Sequence, residues 1–504
     1  MDIKLRRVLL IFFIIIFITF TPLIIYYAQG YRIDWHSGRI VKTGALSIDS
    51  YPSNATIYLD GSLGKSNFIE KILEKIKNIL GLRKLAGTTP SIFHNLTKDK
   101  YEVKVEKKGY WPWIKKLEIE KEKVTFAEDI NLFLKKPQII SLYQGQIEKA
   151  VFNPTQKKII FTVKEGNNWL VKLLDLNTEK EKLISQFTSP IQKIIVSPSA
   201  NKVLVVDQSN NFFVLNLTLN KKKILLNNFK FLGQNIKKYL PQKNIDYYLK
   251  WDNKNDNLIY LLFNNKIYQI NLTNKKITLL IDFPSIYQKF PPKENKNLKI
   301  LNFLVKNGYV YFLNLSKNYV LLEREKTNGK SSPELIAYLP ISLNYSFIYP
   351  ESDYLNIFDK KTKTIRIINP RERDRSKVEL LKFFAQEIQW SKDKKKILYQ
   401  DGFEIGFFTL IPEKEKKPYS KEVISRYSKQ IKKAIWYFRE KYVIFNLEKD
   451  IYAIELDGRD KRNLTKLISS EKIIDFFISN KKDFLYFIGK FPQEGEGIYK
   501  IKIQ

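Results

Sequence analysis

The sequence contains no cysteine, one methionine and two histidines among 504 residues. Without cysteine there is no disulfide, no thiol nucleophile, no lipid-modified cysteine and no thiolate metal site, so an exported fold must be held by its core alone. The two histidines, His36 and His94, both precede the long C-terminal region. That region therefore lacks the base of a Ser-His-Asp hydrolase and the imidazole ligands of a typical metal site, and no catalytic residue, metal site or cofactor is expected there. No glycine-rich phosphate loop is present; Glu494-Gly495-Glu496-Gly497 separates two apolar runs and reads as a hairpin turn. Acid is scarce relative to base. The 87 Lys and Arg outweigh 52 Asp and Glu to give a formal charge of +35, spread along the chain. A spread-out excess favours general attraction to polyanions, such as anionic lipid, acidic envelope polymer or nucleic acid, over one binding cleft.

What is abundant is apolar and aromatic sequence. Residues 8–28 carry no charge and follow Lys4, Arg6 and Arg7, which is enough apolar length for a helix to span a bilayer. The basic flank predicts a cytoplasmic stub over residues 1–7, and Tyr26, Tyr27 and Tyr31 fall where an outer aromatic belt would lie. A cleaved signal peptide would be shorter and end in a small-x-small site, whereas Tyr26-Tyr27-Ala28 puts a bulky ring there. The expectation is one uncleaved membrane helix, a linker over 29–43, and the bulk of the chain outside the cytoplasm.

Residues 44–136 change to short period-two stretches, as in Ala45 to Ser50, Thr56 to Leu59 and Tyr101 to Val105. Each predicts a strand with one buried face, and together they predict a small antiparallel β-sandwich. Pro52 with Ala55, Asp60-Gly61, Thr89-Pro90, the Tyr101 to Val105 strand and Gly109-Tyr110 occur in the order and spacing of the PEGA domain. The segment resembles that family apart from Ser53-Asn54, which stands where the family has Glu-Gly, and an insertion over 65–86. The resemblance implies a surface-associated β module of a cell envelope, without catalysis. Together with the membrane helix and Gly30-Tyr31-Arg32, it looks like single-pass envelope proteins of small-genome bacteria.

Within the insertion, Phe68, Ile69, Ile72, Leu73, Ile76, Ile79 and Leu80 fall on one face spanning about 140° of a helical wheel. Asn67 with Glu70 forms a capping-box pattern and Gly81 a C-cap pattern, so a helix is predicted over 67–80. Its apolar face would meet the protein itself, a membrane surface or a partner helix. Later in the same segment, Trp111-Pro112-Trp113 beside Lys115-Lys116 offers two readings. The indoles form an exposed stacking platform for a sugar or lipid headgroup, or they close the sandwich or its junction with the next domain.

From residue 147 onward a two-strand shape recurs, in Val151-Phe152-Asn153-Pro154 with Ile159 to Phe161, in Ile194 to Pro198 with Val203 to Val206, and in Tyr248 to Asp252 with Leu258 to Leu261. Further copies begin near Ile388, Ala434 and Asp475, and fainter ones lie near Asn302 and Phe347. A period of about 45 residues is that of a four-stranded propeller blade. Residues 137–504 are thus expected to form a β-propeller of eight blades, with seven as the alternative, resembling TolB-like propellers in their Asn-Pro and Ser-Pro turns. Trp251, Trp390 and Trp436 occupy equivalent repeat positions and are expected in blade cores. The strand around Ile139 is expected to close the ring as the outermost strand of the last blade.

The fold class is therefore all-β with one membrane helix. The expected function is non-catalytic binding or scaffolding in a cell envelope, with an anionic envelope polymer or a protein as partner. The alternatives are a carbohydrate-active enzyme using propeller carboxylates and capture of extracellular nucleic acid. Since the family pattern lacks the insertion, deleting residues 65–86 is predicted to leave the sandwich folded, read by circular dichroism and thermal melting. Collapse of the whole chain on this deletion would make the insertion part of the core.

Overall fold

The structure is a computed structural model that describes residues 3–28, 30–34, 39–60, 85–153, 157–218, 223–226, 230–231, 234–235, 247–290, 298–329, 331–348, 352–411, 417–478 and 484–504. The insertion helix expected over 67–80, with Phe68, Ile69, Ile72, Leu73, Ile76, Ile79 and Leu80, lies outside the described residues, as do Gly61 and His36.

The N-terminal helix runs Ile3–Ala28. Its stretch Leu9–Ala28 is long and apolar enough to cross a membrane. The helix begins ahead of the apolar stretch and includes Lys4, Arg6 and Arg7. The segment expected to be a plain linker contains a hairpin pairing Tyr31–Asp34 with Arg39–Lys42. Thr43 fastens it by donating both its N–H (3.1 Å) and its hydroxyl (2.9 Å) to the Gly30 carbonyl.

The following β-sandwich has a three-stranded sheet, in the order Ser91–Leu96, Gly44–Tyr51 and Val124–Asn131. Its four-stranded partner runs Leu85–Thr88, Thr56–Asp60, Lys100–Glu106 and Trp113–Glu118. Alternation sends Leu46, Ile48, Ile57, Val103, Val105 and Leu117 into one shared core. The sandwich is not wholly antiparallel: Gly44–Tyr51 and Val124–Asn131 pair in parallel. Parallel neighbours need a long crossover, which the intervening strands supply. Of the motif residues, Ala55 and Thr89 are buried and bound to each other: Ala55 N–H donates to Thr89 Oγ1 (3.0 Å) and Thr89 N–H to the Ala55 carbonyl (2.9 Å). Gly109 has φ +88°, the left-handed region open to glycine.

Among the described residues the rest of the chain forms eight sheets in sequence, antiparallel apart from one parallel pairing of Lys230 with Lys276 in the third. They span 149–187, 191–225, 230–282, 300–339, 345–384, 387–426, 431–469 and 472–502, the last completed by Ile139–Gln144. Seven have four strands, and the third gains two short ones, Lys230–Phe231 and Gln234–Asn235. Each sheet buries apolar side chains against the next. Leu204 and Phe212 of the second pack with Trp251 and Leu261 of the third, and Leu398 and Phe407 of the sixth with Ala434 and Phe445 of the seventh. The series closes on itself, because Ile159 and Phe161 of the first share a core with Phe477 and Tyr486 of the eighth. Phe152 stacks on Phe477 across that seam. A closed ring of meandering sheets is a β-propeller.

The repeat is written in its turns. Ser197 N–H donates to the Lys202 carbonyl (3.0 Å) while its Oγ accepts the Lys202 N–H (3.1 Å). Ser391 does the same with Lys396 (2.8 Å), although no proline follows it. In both turns the serine hydroxyl makes this bond, with or without a following proline. One element without a sequence expectation is the short helix Phe283–Lys289, capped by Asp282, whose Oδ1 accepts the Ser285 N–H at 3.2 Å.

The ring is closed by Ile139–Gln144 pairing antiparallel with Gly495–Lys502, as the outermost strand of the eighth sheet. A Cβ at Gly497 would meet the Tyr143 carbonyl oxygen at 2.1 Å. Gly497→Ala is therefore predicted to destabilise the ring by about 1–3 kcal/mol, since the two strands must part to admit it. The check is a lowered thermal midpoint of the full chain, and an unchanged midpoint would show that this seam does not limit stability.

Candidate functional site

The first strand of each sheet lies nearest the ring axis, since Ala150 to Phe152, Glu387 to Trp390, Lys433 to Tyr437 and Asp475 to Ile478 converge on a single cavity of about 720 Å3. This convergence brings together residues far apart in sequence. Glu387, Lys433 and Asp475 contribute charge; Phe152, Trp390, Trp436 and Phe477 contribute rings. Lys433 Nζ donates to Asp475 Oδ1 at 2.8 Å. Burial raises the pKa of Glu387 above the ordinary carboxylate range, with Lys433 opposing the shift and Asp475 adding to it.

The three repeat tryptophans lie where the repeats put them, on first strands. Trp251 Nε1 donates to the Ile195 carbonyl of the preceding sheet (3.0 Å), and Trp436 Nε1 to that of Gln389 (3.2 Å). Trp390 stacks on Tyr354 of the preceding sheet. The indoles of Trp251 and Trp436 thus tie neighbouring first strands to one another. Trp251 and Trp390 are buried, whereas Trp436 is half-buried and lines the cavity.

The sandwich docks on the seventh and eighth sheets through Glu455. This carboxylate is 3% exposed, and its Oε2 accepts Trp113 Nε1–H at 2.7 Å. Its Oε1 takes the ammonium of Lys115, a side chain with no exposure at all, and both the N–H (2.9 Å) and the side-chain amide (3.0 Å) of Asn463. Lys115 Nζ also donates to the Asp457 carbonyl at 2.7 Å. Around this centre the Tyr442 hydroxyl accepts Asn131 N–H (2.9 Å), and Phe133 enters the core of the seventh and eighth sheets. Arg439 reaches Asp129 at 3.4 Å.

The paired platform of Trp111 and Trp113 does not form. Trp113 is 4% exposed and consumed by the junction, because an indole facing a buried carboxylate satisfies both groups at once; Trp111 alone remains exposed, with Lys135 over its ring. Sequence reasoning missed Lys115 and Glu455. The available signal was Trp113-Ile114-Lys115, which places a tryptophan and a lysine on one face of a strand. Asp393, Arg439 and Glu440 line both the central cavity and a second cavity of about 540 Å3 between ring and sandwich.

No family model matches the chain, and no curated protein matches it. The chain's likeness is to solved propellers. The propeller domain of Swd1 from Myceliophteria thermophila matches at 10% identity and TM-score 0.38, covering 73% of this chain and 100% of that one. Sqt1 of Saccharomyces cerevisiae matches at 10% identity and TM-score 0.44, covering 73% and 98%. The dihydro-heme d1 dehydrogenase NirN matches at 9% identity and TM-score 0.43, covering 72% and 78%. The sheet order and the cyclic core carry the assignment of the fold. The PEGA resemblance rests on its motif residues alone.

Removing Glu455 strands a buried ammonium and a buried indole N–H. Glu455→Ala is predicted to destabilise the folded chain by about 3–5 kcal/mol, measured by denaturant unfolding. Adding Lys115→Met should recover part of that loss, because the uncompensated charge goes with it. A Glu455→Ala chain as stable as the wild type would show that the junction contributes nothing.

Proposed function

We propose that this protein is a single-pass membrane protein whose N-terminal helix holds a rigid sandwich–propeller unit on the extracytoplasmic side of a cell envelope. The unit works as a non-catalytic scaffold for a protein partner or an anionic envelope polymer. The observation that supports this most is the composite rim, where Asp393, Arg439 and Glu440 join the central cavity to the sandwich junction. A partner seated there would touch both domains, and its specificity would come from charges of both signs flanking aromatic surface. The PEGA-like motif residues in the sandwich and the basic flank of the helix fit an envelope setting.

A second reading, a glycan-cleaving enzyme, has one observation in its favour: Glu387 and Asp475 line the same cavity, and Glu387 is held toward its protonated form. The ion pair between Lys433 and Asp475 speaks against it, since a hydrolase of that kind needs its second carboxylate free to act on sugar or water.

Protease added to intact cells is predicted to remove the sandwich and propeller, and full protection would contradict the topology. A photo-crosslinking residue at Lys392 on the rim should then give a discrete adduct that Arg439→Glu abolishes. An adduct insensitive to that change would show that the rim is not the binding surface. Hydrolysis of envelope glycan lost in Glu387→Gln would establish the second reading instead.

A further inference from the structure

On the opposite arc of the ring, away from Glu387 and Asp475, the first strands of the second to fifth sheets enclose a separate cavity of about 380 Å3. Its walls are mostly apolar, including Pro198, Trp251, Phe303, Val305 and Phe347. The polar members of the lining are Asp252, Asn253, Tyr260 and Lys250, and the one cation among them is Lys250. Its Nζ donates to Asn302 Oδ1 (2.9 Å) and to the Phe303 carbonyl (2.5 Å), and it lies 5.4 Å and 5.5 Å from the ring centroids of Phe303 and Phe347. Asn302 is 3% exposed and is itself oriented, its Oδ1 also accepting Phe303 N–H at 2.8 Å.

Among the described residues no carboxylate lies within ion-pair distance of Lys250. The nearest candidate in the sequence, Asp252, lines the same cavity but is occupied by the N–H groups of Lys254 and Asn255 (2.9 Å each) and by the Tyr260 hydroxyl (3.0 Å). The other titratable groups on the surrounding strands are Lys193, Tyr248, Tyr260, Lys306 and Tyr345, which supply no negative charge at neutral pH. Loss of hydration pushes the Lys250 pKa down to about 7, so the amine is poised between its two forms. Two of the three ammonium donors are used by neutral oxygens, and the charge itself has no counterpart.

We propose that this cavity is a binding site for a small carboxylate with an apolar body, whose anionic end pairs with Lys250 and whose body fills the space between Phe303, Phe347 and Trp251. The anion supplies the missing counter-charge and the ring-lined wall supplies the apolar contact, which is the pattern of a small-molecule site with few polar groups in an apolar pocket. This inference does not depend on the scaffold reading, which concerns the composite rim.

The test is isothermal titration of the full chain in lipid nanodiscs with benzoate, using empty nanodiscs as the blank. Binding is expected to take up a proton, about half per site at pH 7, because the anion draws Lys250 fully into its charged form. Affinity should therefore fall as pH rises above 7, by up to about tenfold per unit. Lys250→Met should cut affinity at least tenfold and abolish the proton uptake, while its thermal midpoint stays at or above that of the wild type, since a poorly hydrated amine is removed. Benzyl alcohol and inorganic phosphate, each carrying half of the recognised chemistry, should bind much more weakly. No benzoate binding, equal binding by Lys250→Met, or equal binding of benzyl alcohol would each overturn the proposal.

Discussion

One buried carboxylate sets the relation between the two β domains. Glu455 ends a strand of the seventh sheet and is nearly inaccessible, yet it meets four donors: the Trp113 indole, the Lys115 ammonium and two N–H groups of Asn463. A charge removed from water costs several kcal/mol unless it is both paired and hydrogen-bonded, and here it is both. Such a centre admits little variation in geometry. Shifting the sandwich by a few ångströms would strand Lys115 and Glu455 together, so the junction specifies one arrangement more than it adds net stability.

That arrangement gives the ring its asymmetry. Near the seventh and eighth sheets the central cavity carries charge of both signs and shares its rim with the sandwich. On the far arc, lysines of the second, third and fourth sheets sit in apolar surroundings that lower their pKa values, Lys193, Lys250 and Lys306 alike, chiefly by burial. A formal charge of +35 thus coexists with a ring interior in which burial disfavours the charged form of these three lysines.

Much of this fold was legible in the sequence because its signals are local. Period-two stretches marked the strands, and the Asn-Pro and Ser-Pro turns of the early repeats, the equivalent tryptophans and the spacing marked the repeat. The Ile139 strand could be placed in the last sheet because a ring has to close somewhere and that segment had no other partner. What escaped were features set by distant partners. The parallel pairing of Gly44–Tyr51 with Val124–Asn131 depends on a crossover that neither strand encodes. The choice between platform and domain junction for Trp113 stayed open because it depends on Glu455, more than three hundred residues away. Lys250 reads as one more base in a lysine-rich chain until the ring brings Phe303 and Phe347 to it.

The central claim is that sandwich and ring form one rigid unit fixed at Glu455. The absence of cysteine allows spin labels to be placed without background, for example at Lys98→Cys on the sandwich and Lys180→Cys on the first sheet, both exposed. Pulsed electron-electron distance measurement on the full chain in nanodiscs is the most direct test. A single narrow distance distribution, broadened when Glu455→Ala is added, is the predicted result. A broad distribution in the otherwise unaltered chain would contradict the account.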